Sequence, residues 1–138
     1  MSDAQARALV QPFYTYLSNP LDEQAAANAR SVFSQDWRSH DNNDSSKGLD
    51  ETIKAVNGYG QLIPNLKWEI KDVKVAGDTI VVRGEASGTP KGEFFGVPET
   101  GNSFKIMSID LHTVEDGKVV KSYHIENWVS AIGQLTAE

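Results

Sequence analysis

The chain contains no cysteine. Disulfides, thiolate metal sites, iron–sulfur clusters and a cysteine nucleophile are thereby excluded. It also lacks any excess of positive charge: 13 Lys and Arg stand against 19 Asp and Glu, for a net charge of -6. With no basic stripe to neutralise phosphates, nucleic acid is not an expected partner. No stretch approaches the ~20 apolar residues that a membrane helix needs. Residues 1–8, MSDAQARA, carry an Asp and an Arg, and no secretory apolar segment follows them. A cytoplasmic protein without a membrane partner is the expectation. The phosphate-cradling motifs Gly-x-Gly-x-x-Gly and Gly-x-x-x-x-Gly-Lys-Ser/Thr are missing, as is the Gly-x-Ser-x-Gly elbow of serine hydrolases. The three histidines, His40, His112 and His124, show no close metal-ligand spacing. No metal and no cofactor are expected, so chemistry must come from His, Asp, Glu, Tyr or Arg. What is present is 138 residues, 39% hydrophobic and 23% charged, the composition of one folded domain spanning 1–138.

The first half of the chain reads as helix and the second as strand. Ala6, Leu9, Val10, Phe13, Tyr14 and Leu17 recur at helical spacing between Ser2 and Ser18. Pro12 lies inside that pattern and predicts a kink or interruption. A second helix is expected from Asp22 to about Phe33, and a polar loop from Asp36 to Gly48. In that loop Asp, Asn and Ser side chains compete for backbone hydrogen bonds. A third helix follows from about Leu49 to Leu62. Beyond Asn65 the period falls to two, giving strands over Trp68–Val75, Thr79–Glu85, Phe104–Val114 and Val119–Asn127. Gly88 to Gly101 reads as a long loop, Asp116-Gly117 as a hairpin turn, and Trp128–Leu135 as a short last helix. Helices followed by a four-strand antiparallel meander make an α+β fold rather than a nucleotide-binding sheet. One helix layer cannot cover both faces of such a sheet. One face is then expected to enclose a cavity, and the other to meet water or a second copy of the chain.

Candidate chemistry concentrates in Tyr123-His124-Ile125-Glu126-Asn127-Trp128. His124 and Glu126 are two apart on a strand and project to one face. A carboxylate beside a histidine stabilises imidazolium and tunes it as an acid or base near neutral pH. The alternative is a solvated pair on an edge strand. His40 follows Trp37 at a helix-to-loop junction, either at a pocket mouth or in a capped loop. Asp110 and His112 share a strand face with Ser108, Ile106 and Val114 and read as a salt-linked surface pair. Arg83 and Glu85 read as a pair within the sheet. A buried Arg83 could instead anchor a carboxylate or carbonyl through its forked donors.

These segments carry a resemblance. Gly88 to Gly101, GTPKGEFFGVPETG, resembles the loop of the SnoaL-like polyketide cyclases, or ester cyclases, which show Gly-Thr-His, Gly-x-Phe and Gly-Ile-Pro-Pro-Thr-Gly there. Collinear similarities lie at Trp37 through His40, Gly77-Asp78 with Val81-Val82-Arg83, Ile109-Asp110-Leu111, Asp116 to Val120 and Gln134-Leu135. The resemblance implies the cone-shaped α+β barrel of the nuclear transport factor two superfamily, with N-terminal helices packed in a curved antiparallel sheet. It also implies a homodimer and a cofactor-free aldol cyclisation, or a related isomerisation, of a small, largely apolar ligand. The chain departs from the family where Trp-Asp-x-x-Asp becomes Tyr123, His124 and Asn127. An amide cannot take a proton, so the expected base moves to His124 or Glu126. Pro90 likewise replaces the family histidine. Asn127 and His40 would then donate hydrogen bonds to an enolate oxygen, Arg83 would anchor, and Trp37, Tyr123 and Trp128 would contact the ligand. The alternatives are a non-catalytic small-molecule binder with the same cavity, and an interaction domain whose interior is filled by its own side chains.

Overall fold

The computed structural model describes all residues 1–138. The elements in chain order are α1 (Asp3–Leu17), α2 (Glu23–Arg30), β1 (Phe33–His40), α3 (Leu49–Leu62) and β2 (Lys67–Ala76), then β3 (Thr79–Gly88), β4 (Phe104–Glu115), β5 (Lys118–Glu126) and α4 (Trp128–Thr136). The fold is α+β, as expected, but its sheet has five strands rather than four. They lie in the order β1-β5-β4-β3-β2. The sheet is open, with β1 and β2 at its edges.

Two local expectations change. Pro12 does not interrupt α1, which runs unbroken from Asp3 to Leu17. A proline inside a helix costs about 3 kcal/mol. Here Ala6, Val10, Tyr14 and Leu17 are buried along one face, and burying such side chains contributes about 1.5–3 kcal/mol for each large one. The helix start is also fixed locally, since Ser2 and Gln5 cap each other's backbone amides.

The second change is larger. Phe33–His40 forms a strand, where helix and then loop were expected. It pairs in parallel with β5, with Arg38 opposite Lys121, Ser39 opposite Ser122 and His40 opposite Tyr123. Its residues have no period-two pattern, and Phe33 and Trp37 are the buried members. The strand exists because β5, some eighty residues away, supplies its backbone partners and a floor for its two aromatic rings. The other three pairings are antiparallel.

Two apolar clusters sit on the inner face of the sheet. The larger joins α1, α2 and β1 to Ile70, Val73, Ile80, Val82 and Val119. The smaller gathers Ile63, Leu66, Ala86, Phe94, Phe104, Ile106, Ala131 and Leu135 under α4. Trp68 packs against both. No helix is long and apolar enough to cross a membrane.

Candidate functional site

Strand alternation on β4 buries Phe104, Ile106, Ser108, Asp110 and His112 in turn. The first two extend the apolar core, and the next three break it. The β4–β5 register sets Ser108 opposite Glu126, Asp110 opposite His124 and His112 opposite Ser122. Three consecutive cross-strand pairs are therefore polar on the inner face. The next strand, β3, presents Ile80, Val82 and Gly84 to the same row. Ionisable groups are thus confined to a patch two strands wide with apolar surroundings.

Asp110 and His112 are not the surface pair expected from their spacing. Both are almost wholly buried, at 5% and 2% exposure. Tyr14, from α1, stands between them. Its hydroxyl donates to Asp110 Oδ2 and lies 2.9 Å from His112 Nε2. His112 Nδ1 is 2.6 Å from Ser122 Oγ, which accepts from Trp37 Nε1 at 3.0 Å. One assignment gives every donor an acceptor: Trp37 to Ser122, Ser122 to His112 Nδ1, His112 Nε2–H to Tyr14, and Tyr14 to Asp110. The chain of hydrogen bonds ends on the carboxylate.

Burial dominates the electrostatics of this patch. It pushes the Asp110 carboxyl up to about 7; the Glu126 charge adds to the rise, and the Tyr14 hydrogen bond and His124 oppose it. Burial also drives His112 down to about 3, with the neighbouring His124 adding to the fall, so His112 is neutral. His124 differs. Burial disfavours its charge, but the hydrogen bond from Nδ1 to Glu126 Oε2 at 2.7 Å and the Glu126, Asp110 and Asp41 charges outweigh that, and its pKa is raised. Tyr14 is held well above the ordinary phenol range, first by burial and then by Asp110.

Above the patch lies a cavity of about 460 Å³. Asp110, His112, Ser122, His124 and Glu126 form its polar floor. Phe13, Trp37, Tyr59, Trp68, Phe95 and Trp128 supply aromatic wall. Residues of the 41–47 segment complete the rim, held by reciprocal backbone bonds between Ser39 and Lys47. Its size suits a small organic molecule. No three His, Asp or Glu side chains are grouped so that they could hold a metal ion.

The residues singled out by sequence divide between this cavity and the rest of the surface. His124, Glu126, Trp37 and Trp128 line it. The other four lie outside. Asn127 caps α4, its side chain accepting from the Ser130 amide. His40 stacks on Tyr123, their ring centroids 4.7 Å apart. Tyr123 alternates with His124 and so falls on the outer face, 36% exposed. Arg83 is exposed as well. Glu85 pairs with Lys71 at 3.7 Å, in place of the expected partner Arg83. Asp110, His112, Ser122 and Tyr59 also line the cavity, with Tyr14 buried behind them, and sequence alone places none of the five there. For the β4 residues the signal was present: Asp110 and His112 alternate in phase with Ile106, a core position.

Comparison with known proteins gives a consistent result. The family of SnoaL-like polyketide cyclases matches residues 8–135. No curated protein sequence matches significantly. Among solved structures, TsrD from Streptomyces laurentii superposes with a TM-score of 0.84 at 21% identity, covering 100% of this chain and 99% of that one. A candidate SnoaL-like polyketide cyclase from a Jannaschia species gives a TM-score of 0.82 at 20% identity, over 99% and 94% of the two chains. IdmH from Streptomyces antibioticus, a candidate polyketide cyclase, gives 0.81 at 21% identity, over 96% and 99%. At these identities the structural likenesses speak to the fold.

Proposed function

The chain belongs to the SnoaL-like polyketide cyclase family, and from that premise we propose that it performs acid–base chemistry beside a carbonyl of a small, largely apolar ligand, as an aldol-type cyclase. The observation that carries this reading is the cross-strand pair Asp110 and His124 on the cavity floor. Burial raises Asp110 to about 7, and Glu126 raises His124 against the effect of its own burial, so a base near neutrality stands beside a stabilised imidazolium. A general acid or base works best when its pKa lies near the operating pH.

In the proposed reaction, ionised Asp110 removes a proton from the carbon next to the carbonyl. The C–H electron pair becomes the enolate, whose oxygen is met by the His124 imidazolium. Glu126 keeps that imidazolium charged and oriented. The enolate carbon then attacks a second carbonyl of the same ligand, forming a C–C bond. The proton held by Asp110 passes to the resulting alkoxide, so the cycle closes with no net proton change. Asp110 thus takes the base role that sequence alone assigned to His124 or Glu126. His40 and Asn127, outside the cavity, have no part in this scheme.

Exchange of α-protons of an aryl methyl ketone in D2O, followed by NMR, tests the reading. Asp110→Asn and His124→Ala are each expected to slow enzyme-dependent exchange by about 10²- to 10⁴-fold, the usual worth of a general acid or base. Exchange at the wild-type rate in both variants would leave a binding protein and overturn the catalytic reading.

We also propose that the outer sheet face meets a second copy of the chain. Met107, Ile109, Leu111, Tyr123 and Ile125 are all exposed there. Ile109 lies opposite Ile125 and Leu111 opposite Tyr123, so the residues form one patch. Contiguous apolar surface of this kind marks an interface, and a two-fold axis lets one patch cover itself.

A further inference from the structure

The β3–β4 loop contains a two-residue hairpin turn, closed by reciprocal backbone hydrogen bonds of 2.9 Å between Phe94 and Val97. Both central residues have left-handed backbones, with φ of 51° at Phe95 and 75° at Gly96. The β4–β5 turn repeats this geometry, with φ of 51° at Asp116 and 76° at Gly117. Turns of this type favour Asn-Gly and Asp-Gly, because a short polar side chain tolerates positive φ and can bond to its own backbone. Asp116-Gly117 follows that chemistry. Phe95-Gly96 does not, since a bulky residue at positive φ is a true outlier.

Folding gives Phe95 little in return. Its neighbour Phe94 is 5% exposed and belongs to the core, whereas Phe95 is 48% exposed. The Phe95 ring lines the cavity, with its centroid 5.2 Å from that of Trp128, which lines it too. Strained positions of this sort persist where the strain serves a site. We propose that Phe95 is a specificity-determining residue: the turn holds its ring at the cavity mouth to stack on a flat, unsaturated ligand. The Phe94 and Trp128 rings flank the Phe95 ring, with centroids 4.6 Å and 5.2 Å away. A saturated ligand of equal size fills the same volume but offers no face to stack on. The inference rests on the reading that the cavity takes a ligand.

The test compares two probes, 2-acetylnaphthalene and its fully saturated counterpart 2-acetyldecahydronaphthalene, with dissociation constants measured by ligand-observed NMR. Four proteins are compared: wild type, Phe95→Tyr, Phe95→Leu and Phe95→Asn. The asparagine variant suits the turn, so the hairpin is kept when the ring is removed. Wild type and Phe95→Tyr are expected to prefer the flat ketone. Phe95→Leu and Phe95→Asn should lose that preference by roughly two- to tenfold, the worth of one aromatic contact. Affinity for the saturated probe should stay within about twofold. The same preference in all four proteins would overturn the inference, as would a wild type with none. Equal weakening toward both probes would assign Phe95 to turn structure and overturn it too. Wild-type α-proton exchange in both Asp110→Asn and His124→Ala would instead overturn the catalytic reading and leave this binding comparison intact.

Discussion

Single side chains decide the chemistry at the cavity floor, and Asp110 is the one whose environment matters most. Its folded pKa of about 7 lies above the ordinary value of 3.8. The folded state therefore holds this proton more tightly than the unfolded chain. Stability from this group is fully present below about pH 4 and falls as pH rises to about 7. Asp110→Asn should consequently raise the melting temperature relative to wild type at pH 8, by an amount that disappears near pH 4. Calorimetry at the two pH values reads the difference, and an equal shift at both would refute the linkage. Tyr14→Phe acts in the other direction. Its hydrogen bond lowers the Asp110 pKa, so losing it should move the ionisation limb of the α-proton exchange profile to higher pH. The imidazole of His112 is neutral, and both its ring nitrogens are engaged by Tyr14 and Ser122, so it brings no charge to the cavity near neutral pH. Its spacing to Asp110 suggested a surface pair, because a sequence shows phase along a strand but not which phase is covered.

Elements are held by contacts that local propensity does not predict. In α3, a Cβ added at Gly60 would lie 2.5 Å from Pro20 Cγ and 2.9 Å from its Cβ. Both atoms belong to a rigid ring in the turn before α2. Gly60→Ala should therefore destabilise the protein by about 1–3 kcal/mol through overpacking, despite the better helix propensity of alanine. Gly58, one half-turn earlier, has open space around it. Gly58→Ala should stabilise by up to about 1 kcal/mol. Urea unfolding of the two variants gives opposite signs if the close approach at Gly60 is what matters. The same lesson applies to β1 and to Pro12. Helical and strand periods located α1, α3, and β2 to β5, because those elements bury one face in regular phase. Phe33–His40 has no such phase; its partner strand lies far away in sequence, and by composition alone its polar residues suit a loop.

At the scale of the whole molecule, one sheet face encloses the cavity and the other carries the exposed patch centred on Ile109 and Ile125. If a second copy covers that patch, Ile125→Lys should convert a dimer to a monomer in light scattering while the fold persists by circular dichroism. A wild type that is monomeric at all concentrations would refute the interface. The sequence by itself determined the absence of thiol chemistry, the α+β class, the family, and the prominence of His124 and Glu126. Each of these follows from composition, from periods of 3.6 and 2, or from motifs read in a line. The tertiary structure decided the rest. It brought Tyr14 across 96 residues to Asp110, turned Tyr123 and Arg83 outward, and left His40 against Tyr123 rather than in the cavity. The physical reason is that a pKa or a cavity depends on what covers a residue. Covering groups come from whichever strand or helix the fold lays across it. The missing cysteine left the chemistry to ordinary ionisable groups, and burial is what distinguishes Asp110 among the 19 acidic residues.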